Sequence, residues 1–466
     1  MLTIIFICDT ILWTIKRREK MKEQIQLSDH FSYSRLIKFV LPSVAMLIFT
    51  SIYGVVDGLF VSNFVGEDST PLAAVNIIFP VMMILGGIGF MLGSGGTAIV
   101  AKTLGMGEKE KANEYFTFIM LFTAIAGSIL ALLANIFAEP IAILLGAEDE
   151  MLDYAVRYAH IVLLGMPFFM LQNSFQNFFI TAEKPKLGLA VTIGAGVANM
   201  VLDALFIVVF KWGIEGAAAA TAISQFIGGF VPILYFSSKN NSILRFCKTR
   251  AYWKMLLDAC INGSSELMSN VSSSIVTMLY NFQLLDLAGN NGVSAYSAIS
   301  YVGFVFIAIF IGFIIGSAPI VSFHYGAGNT DELKSLRKKS VNLVFIAGGA
   351  MVVIALALAI PLCKLFVGYD PELYEITLRG FIIYSFSYIL TGFNFFGSSF
   401  FTALNNGVVS AIISFLRTLV FQVLAILILP ELFKIDGVWL SVIVAEVAAA
   451  VVTSAFLIAK KKEYNY

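Results

Sequence analysis

The stretch GGTAIVAKTLGMG, residues 95–107, returns 221 residues later as GSAPIVSFHYGAG, residues 316–328. The same register, without a gap, sets Asn173 on Asn394, the Thr-Ala pair at 181 on the one at 402, Glu215-Gly216 on Asp436-Gly437, and Gln225 on Glu446. Shared apolar composition would not keep glycines and Thr-Ala pairs in step over about 130 residues, so the chain reads as one unit used twice.

Composition says where that unit lives. Of 466 residues, 59% are hydrophobic and 13% charged, more apolar surface than a soluble protein can cover. A helical crossing needs about 20 apolar residues. The pattern predicts twelve, near 36–63, 71–101, 114–138, 152–180, 187–210, 214–237, 254–285, 292–323, 338–362, 373–403, 408–430 and 437–459. The expected fold is an all-α integral membrane protein with twelve transmembrane helices in two pseudo-symmetric six-helix lobes. Residues 36–238 make the first lobe, 254–460 the second, 239–253 a cytoplasmic linker and 1–35 an N-terminal segment. Six is even, so both units face the same way. Parallel repeats are related by an axis along the membrane normal, with the substrate between them.

Charge sets the orientation. Of 30 Lys and Arg, 24 fall at the N-terminus, in alternate loops and at the C-terminus, five on the opposite face, and Arg417 inside a span. The positive-inside rule places both termini in the cytoplasm, in a multi-pass cell-membrane protein. The apolar start MLTIIFICDTILWTI is shorter than a bilayer and lacks a small-residue cleavage site. Met21 opens a plain polar start, so either the chain begins there or residues 1–16 anchor to the surface.

Other classes fall away. Formal net charge is zero, giving no footprint for nucleic acid. The four cysteines lack paired or zinc-ligand spacing, and the three histidines are scattered. With no clustered catalytic constellation, the chain reads as a transporter rather than an enzyme, with no cofactor. A receptor is a third option, but a repeat with opposing acids favours transport. Gly89 and Gly93, in GxxxG spacing, let helices approach closely, and Pro42, Pro80, Pro167, Pro232 and Pro319 kink spans.

Asp57 stands in the apolar stretch GVVDGLFVSNFVG. A mid-bilayer acid costs about 2.5–3.5 kcal/mol on insertion scales, so it faces the bundle interior and finds a partner. Asp57 lies 19 residues beyond Lys38, roughly 28 Å along a helix, and Asp203 lies 17 beyond Lys186, roughly 25 Å. Both reach the outer half. Asn199 shares the helical face of Asp203, and Thr221 and Tyr158 fall near the outer ends of spans six and four. This oxygen-rich group of Asp57, Asn199, Asp203, Thr221 and Tyr158 suits a shared proton or a small hard cation such as Na+. The blander alternative is that the acids cap nearby backbone.

The second lobe does not copy these acids, since Asp57 falls on Met278 and Asp203 on Leu424. It carries Glu266, Arg417 and Glu446 instead. Arg417 and Glu446 are expected to pair, as a fixed structural bridge or as a coupling group. Glu266, in the polar stretch GSSELMSNVSSS, is expected to line the cavity. The stretches MPFFMLQNSFQNFF (166–179) and FNFFGSSFF (393–401) coincide in the repeat, which adds Met166, Asn173, Phe175 and Asn394 as cavity candidates.

The chain resembles the multidrug and toxic compound extrusion (MATE) transporters, MepA-like branch, over residues 28–460. LPSVAMLIFTSIYGVVDGLFVSNFVG, LAAVNIIFPVMMILGGIGFMLGSGG, KTLGMGEKEKA, ANMVLDALFIVVFKWGIEGAAAATAIS and GFNFFGSSFFTALNNG carry the likeness. The resemblance implies two six-helix lobes around a central cavity, and export of amphipathic, often cationic drugs in exchange for H+ or Na+. It also implies a cation site at Asp57, Asn199, Asp203, Thr221 and Tyr158. Family members with an acid in helix seven, matched by Glu266, carry another in helix ten, where this chain has none from 376 to 403. The partners expected are small organic cations and the bilayer, with the chain working as a monomer. The rival within the superfamily is a lipid-linked oligosaccharide flippase, but such proteins hold anionic headgroups on several basic cavity residues, and here only Arg417 is intramembrane.

Overall fold

The computed structural model describes residues 25–65 and 70–466. The apolar start, Cys8, Met21 and loop residues 66–69 lie outside the described residues. Helix α1 is Tyr33–Phe64, begun by Ser32, whose Oγ accepts the Arg35 N–H at 3.3 Å. Then come α2, Thr70–Gly105; α3, Lys109–Ile136; and α4, Asp149–Thr181, tightened by a 3₁₀ turn at Leu163–Gly165 just before Pro167. Helix α5, Pro185–Val209, opens on a proline, which suits the first helical position, and ends as a π turn over Ala204–Val209. Helix α6 is Gly213–Ser237.

The continuous helical run Trp253–Gly326 has 74 residues. Straight, it would be about 110 Å long, against about 30 Å of hydrocarbon. Gly289, at φ 58° and ψ −149°, breaks it in two. The halves are α7, 253–288, and α8, 290–326. Helix α9 is Thr330–Val367, capped by the Asn329 side chain, which accepts the Glu332 N–H. Helix α10 is Pro371–Ser385 and Tyr388–Ala403, bent by 48°; α11 is Gly407–Phe433, with a π turn at Leu416–Val420; α12 is Ile435–Ala459. With α7 and α8 separated and α10 taken as one bent span, these are the twelve expected crossings.

The repeat is visible in the backbone. Gly107 and Gly328, equivalent at the 221 shift, both turn left-handed (φ 83° and 68°) after α2 and α8. Gly213 and Lys434 are equivalent too, with φ 59° and 54°. Helices α1–α6 pack chiefly on one another, as do α7–α12, and the two lobes meet along α1, α2, α7 and α8.

That seam is made by glycine. A Cβ on Gly105 would strike the Phe323 carbonyl, and one on Gly326 would strike the Lys102 carbonyl. Gly95 meets Ala259, Gly263 meets Met91, and Gly312 and Gly316 meet α1 at Val44 and Val40. All lie towards the end that carries Lys102, Lys186, Lys254 and Lys334, here the basic end. Towards the opposite end the same faces become more exposed. The seam face of α2 runs on through Gly87 to the exposed Ile84 and Asn76, and that of α7 through Asn270 to the exposed Ser274 and Thr277. Gly54 and Gly58 of α1 have open space beside them.

The polar stretch before α1 is also structural. Leu27 and Phe31 are fully buried. The Leu27 N–H donates to Glu183 Oε1 of the first lobe (2.8 Å), and the Phe31 N–H to Glu332 Oε1 of the second (2.9 Å). His30 Nδ1 reaches Glu332 Oε2 at 2.5 Å, and Lys339 donates to the Phe31 carbonyl. Residues 25–32 thus tie one lobe to the other across the basic end.

Candidate functional site

The first lobe's polar group begins with a missing side chain. A Cβ on Gly196 of α5 would run into the Phe49 and Tyr53 rings of α1. Without it α1 lies tight on α5. One turn beyond Tyr53 is Asp57, and beyond Gly196 the face of α5 carries Asn199 and Asp203. The Asp57 carboxylate faces the side chains of Asp203 and Asn199. Tyr158 of α4 stands beside Thr221 of α6 and near both carboxylates. Asn199, Asp203 and Tyr158 are buried, Asp57 and Thr221 half-buried. The five expected residues therefore come together from four helices. Tyr53, which also faces Asp57, was missed by the sequence reading; its signal was its position one turn before the acid.

This group is short of donors. Asp57 Oδ1, both carboxylate oxygens of Asp203 and Thr221 Oγ1 are closed off from solvent without a hydrogen-bond partner among the described residues. An orphaned buried acceptor forfeits about 1–3 kcal/mol. Two facing carboxylates in low dielectric do not both stay ionised without a proton or cation between them. The donor set is carboxylate, amide and hydroxyl oxygen, the set preferred by hard cations. Asp57, Asn199, Asp203 and Thr221 fit Na+ by donor type; a proton needs only the two acids.

The second lobe carries its own cation. Arg417 grips Glu446 with two nitrogens, Nη2–Oε1 at 2.7 Å and Nε–Oε1 at 3.0 Å. Asn394 Nδ2 donates to Glu446 Oε2 at 2.6 Å, and the guanidinium lies 3.8 Å from the Phe395 ring centroid. Arg417 and Glu446 are both buried. Nearby, Tyr280 donates to Gln422 Oε1 at 3.0 Å and lies 2.5 Å from Ser441 Oγ, a network the sequence did not announce.

Four cavity candidates are placed elsewhere. Met166 is sealed in the first lobe's core with Val162 and Ile207, and Phe175 stacks on Phe236 and meets Phe116 and Phe246 edge-on. Asn173 is buried, donating to the Gly86 carbonyl at 3.3 Å, and Asn394 is held by Glu446. The reason is packing. Gly89 and Gly93 of α2 press on the backbone of α4 at Met170 and Ser174, which turns this face of α4 into its own lobe. Asn173 and Asn394 coincide in the repeat because both serve a lobe interior. Glu266 alone of the five is half-buried, one turn from Gly263 on the seam side of α7.

Comparison with known proteins gives a consistent picture. The MatE family model matches twice, over residues 42–205 and 267–427, once per half. The multidrug export protein MepA of Staphylococcus haemolyticus is 25% identical over 423 residues, covering 90% of this chain and 91% of that protein. The probable multidrug resistance protein YoeA of Bacillus subtilis is 26% identical over 370 residues, 76% of this chain and 77% of its own length. Among solved structures, an outward-facing conformation of a multidrug resistance MATE family transporter superposes with a TM-score of 0.89 at 21% identity. It covers 95% of this chain and 99% of that one, a likeness of fold.

Proposed function

This chain belongs to the MatE family of secondary transporters, and on that premise we propose that it exports amphipathic, often cationic drugs by exchange for H+ or Na+. The observation that carries the reading is the meeting of Asp57 and Asp203, with buried oxygens that lack donors.

We place the basic end in the cytoplasm. On that placement the close glycine contacts lie inside and the more exposed faces outside, which supports an outward-open reading. Cations from outside reach the acids beside the open end. A proton or Na+ there removes the repulsion between the carboxylates and changes how α1 lies on α5. Since α1 belongs to the seam, the change alters the cleft and weakens its hold on a bound organic cation. Glu266 supplies the cleft with a countercharge for that compound. Release to the outside lets the lobes, residues 36–238 and 254–460, rock about the glycine seam as a single chain. The flippase reading loses ground, because Arg417 is neutralised by Glu446 and leaves no free intramembrane cation among the described residues for an anionic headgroup.

The test is ethidium efflux from vesicles under an imposed pH gradient and then an imposed Na+ gradient. Wild type responds to one or both. Asp57→Asn and Asp203→Asn each abolish gradient-driven efflux while the protein stays in the membrane. Unimpaired efflux in both variants rejects the mechanism.

A further inference from the structure

At the basic end a cleft of about 880 Å³ opens between the lobes. Its floor is the end of α2 and the start of α7. The first lobe supplies one wall from α3, and the turn into α11 supplies the other. Four cations line it, Lys102, Lys111, Arg250 and Lys254, against Glu108 and Asp258. Lys111 is spent on Glu108 at 2.8 Å, and Arg250 lies over the Tyr252 ring. Lys102 lies 5.1 Å from the Tyr325 ring centroid, but neither it nor Lys254 has an ion-pair partner among the described residues. The rim is apolar: Trp253, Met106 and Val408 are each more than half exposed. Aromatic side chains beside lysines at helix ends mark the headgroup level of a bilayer.

The repeat supplies a control within the molecule. At the 221 shift, Lys102 falls on Phe323, Lys111 on Glu332 and Tyr252 on Phe31. In that equivalent place the chain plugs itself. Phe31 and Leu27 are fully buried there, and Glu332 takes the Phe31 N–H and His30. On the other side, the strand of chain before α7 swings onto α3 instead. The Arg245 N–H donates to Asn113 Oδ1, and Phe246 stacks on Phe116 at 5.0 Å. One of two equivalent clefts is thus filled by protein around an acid, and the other stands open around lysines.

We propose that the open cleft holds the headgroup of an anionic phospholipid, with Lys102 and Lys254 on the phosphate. Its acyl chains run along the exposed Leu257 and Ile261 of α7. The apolar rim and the bilayer level of the site select a membrane lipid over free phosphate. The walls belong to both lobes, and the floor adjoins the Gly95–Ala259 and Gly105–Phe323 contacts. A bound headgroup therefore braces the closed end of the seam. This holds whatever compound the protein carries.

The experiment is native mass spectrometry of the full chain in detergent, titrated with dioleoylphosphatidylglycerol or dioleoylphosphatidylcholine. Wild type retains the anionic lipid and not the zwitterionic one. Each lysine near a lipid surface contributes about a fivefold preference. Lys254→Gln, a change at an exposed position, thus weakens retention about fivefold, and Lys102→Gln with Lys254→Gln about 25-fold. Lys254→Arg keeps it, and Lys338→Gln with Lys461→Gln, outside the cleft, leaves it unchanged. Equal retention of phosphatidylglycerol by wild type and the double variant overturns the proposal. So does retention of phosphatidylcholine as strong as that of phosphatidylglycerol, or displacement of the lipid by inorganic phosphate at matched concentration.

Discussion

Single residues divide the two lobes by how each treats its buried acid. Asp203 faces another carboxylate and has no donor among the described residues, whereas Glu446 has Arg417 and Asn394 on its oxygens. The first arrangement sets carboxylate against carboxylate; the second pairs its carboxylate with a cation built into the chain. Removing one member of a buried pair leaves the other uncompensated, at about 3–5 kcal/mol. Glu446→Gln is therefore expected to lower the thermal unfolding midpoint of purified protein sharply. Arg417→Met combined with Glu446→Leu should recover most of the loss, because no buried charge is left alone. An unshifted midpoint in Glu446→Gln would show that the pair contributes nothing to the fold. That Asp57, Asn199, Asp203, Thr221 and Tyr158 would meet was legible in sequence because intramembrane acids are scarce and depth can be counted from the basic end. The hold of Asn394 on Glu446 was not legible, since only tertiary packing joins residues 52 apart. Met166 and Phe175 were misplaced for a related reason. An apolar side chain in such a protein can meet lipid, cavity or core, and one chain's residue types do not distinguish the three.

At the level of helices, the repeat keeps its order but not always its facing. Leu424, equivalent to Asp203, is 51% exposed, while Asp203 is fully buried. The π turn of α11, Leu416–Val420, comes before Leu424, whereas that of α5 comes after Asp203. Each π turn adds a residue and rotates the rest of the helix by about 100°. A gapless sequence register cannot show this, because the inserted residue is absorbed inside the helix. The twelve crossings themselves were legible from hydropathy and length, and the divide between α7 and α8 fell where the apolar pattern lapsed. Two glycine substitutions test the helix geometry. Gly289 holds a positive-φ conformation that side chains adopt only under strain, so Gly289→Ala should cost about 1–3 kcal/mol, read as a lower unfolding midpoint. Gly95→Ala should leave the lobes folded but force α2 from α7, read as a longer distance between spin labels across the basic end. An unchanged distance would mean that the seam is more pliable than its contacts indicate.

For the molecule as a whole, closure at one end rests on the glycine seam and on residues 25–32. A polar stretch of this kind gives no sign in sequence that Leu27 and Phe31 will be buried, because the surface that buries them is assembled from both lobes. Replacing both by alanine should loosen the basic end, seen as a broader label-to-label distance there and an unchanged distance within either lobe. A shift confined to one lobe would assign these residues to local packing instead. The seam carries a consequence of its own. Gly105 on Phe323 and Gly326 on Lys102 are a single contact made in both directions, since 105 maps to 326 and 102 to 323. Self-complementary surfaces of this kind are the mark of isologous association between identical subunits. A half-length unit bearing that glycine thus presents to its twin the surface a symmetric pair needs, independently of the covalent link between them.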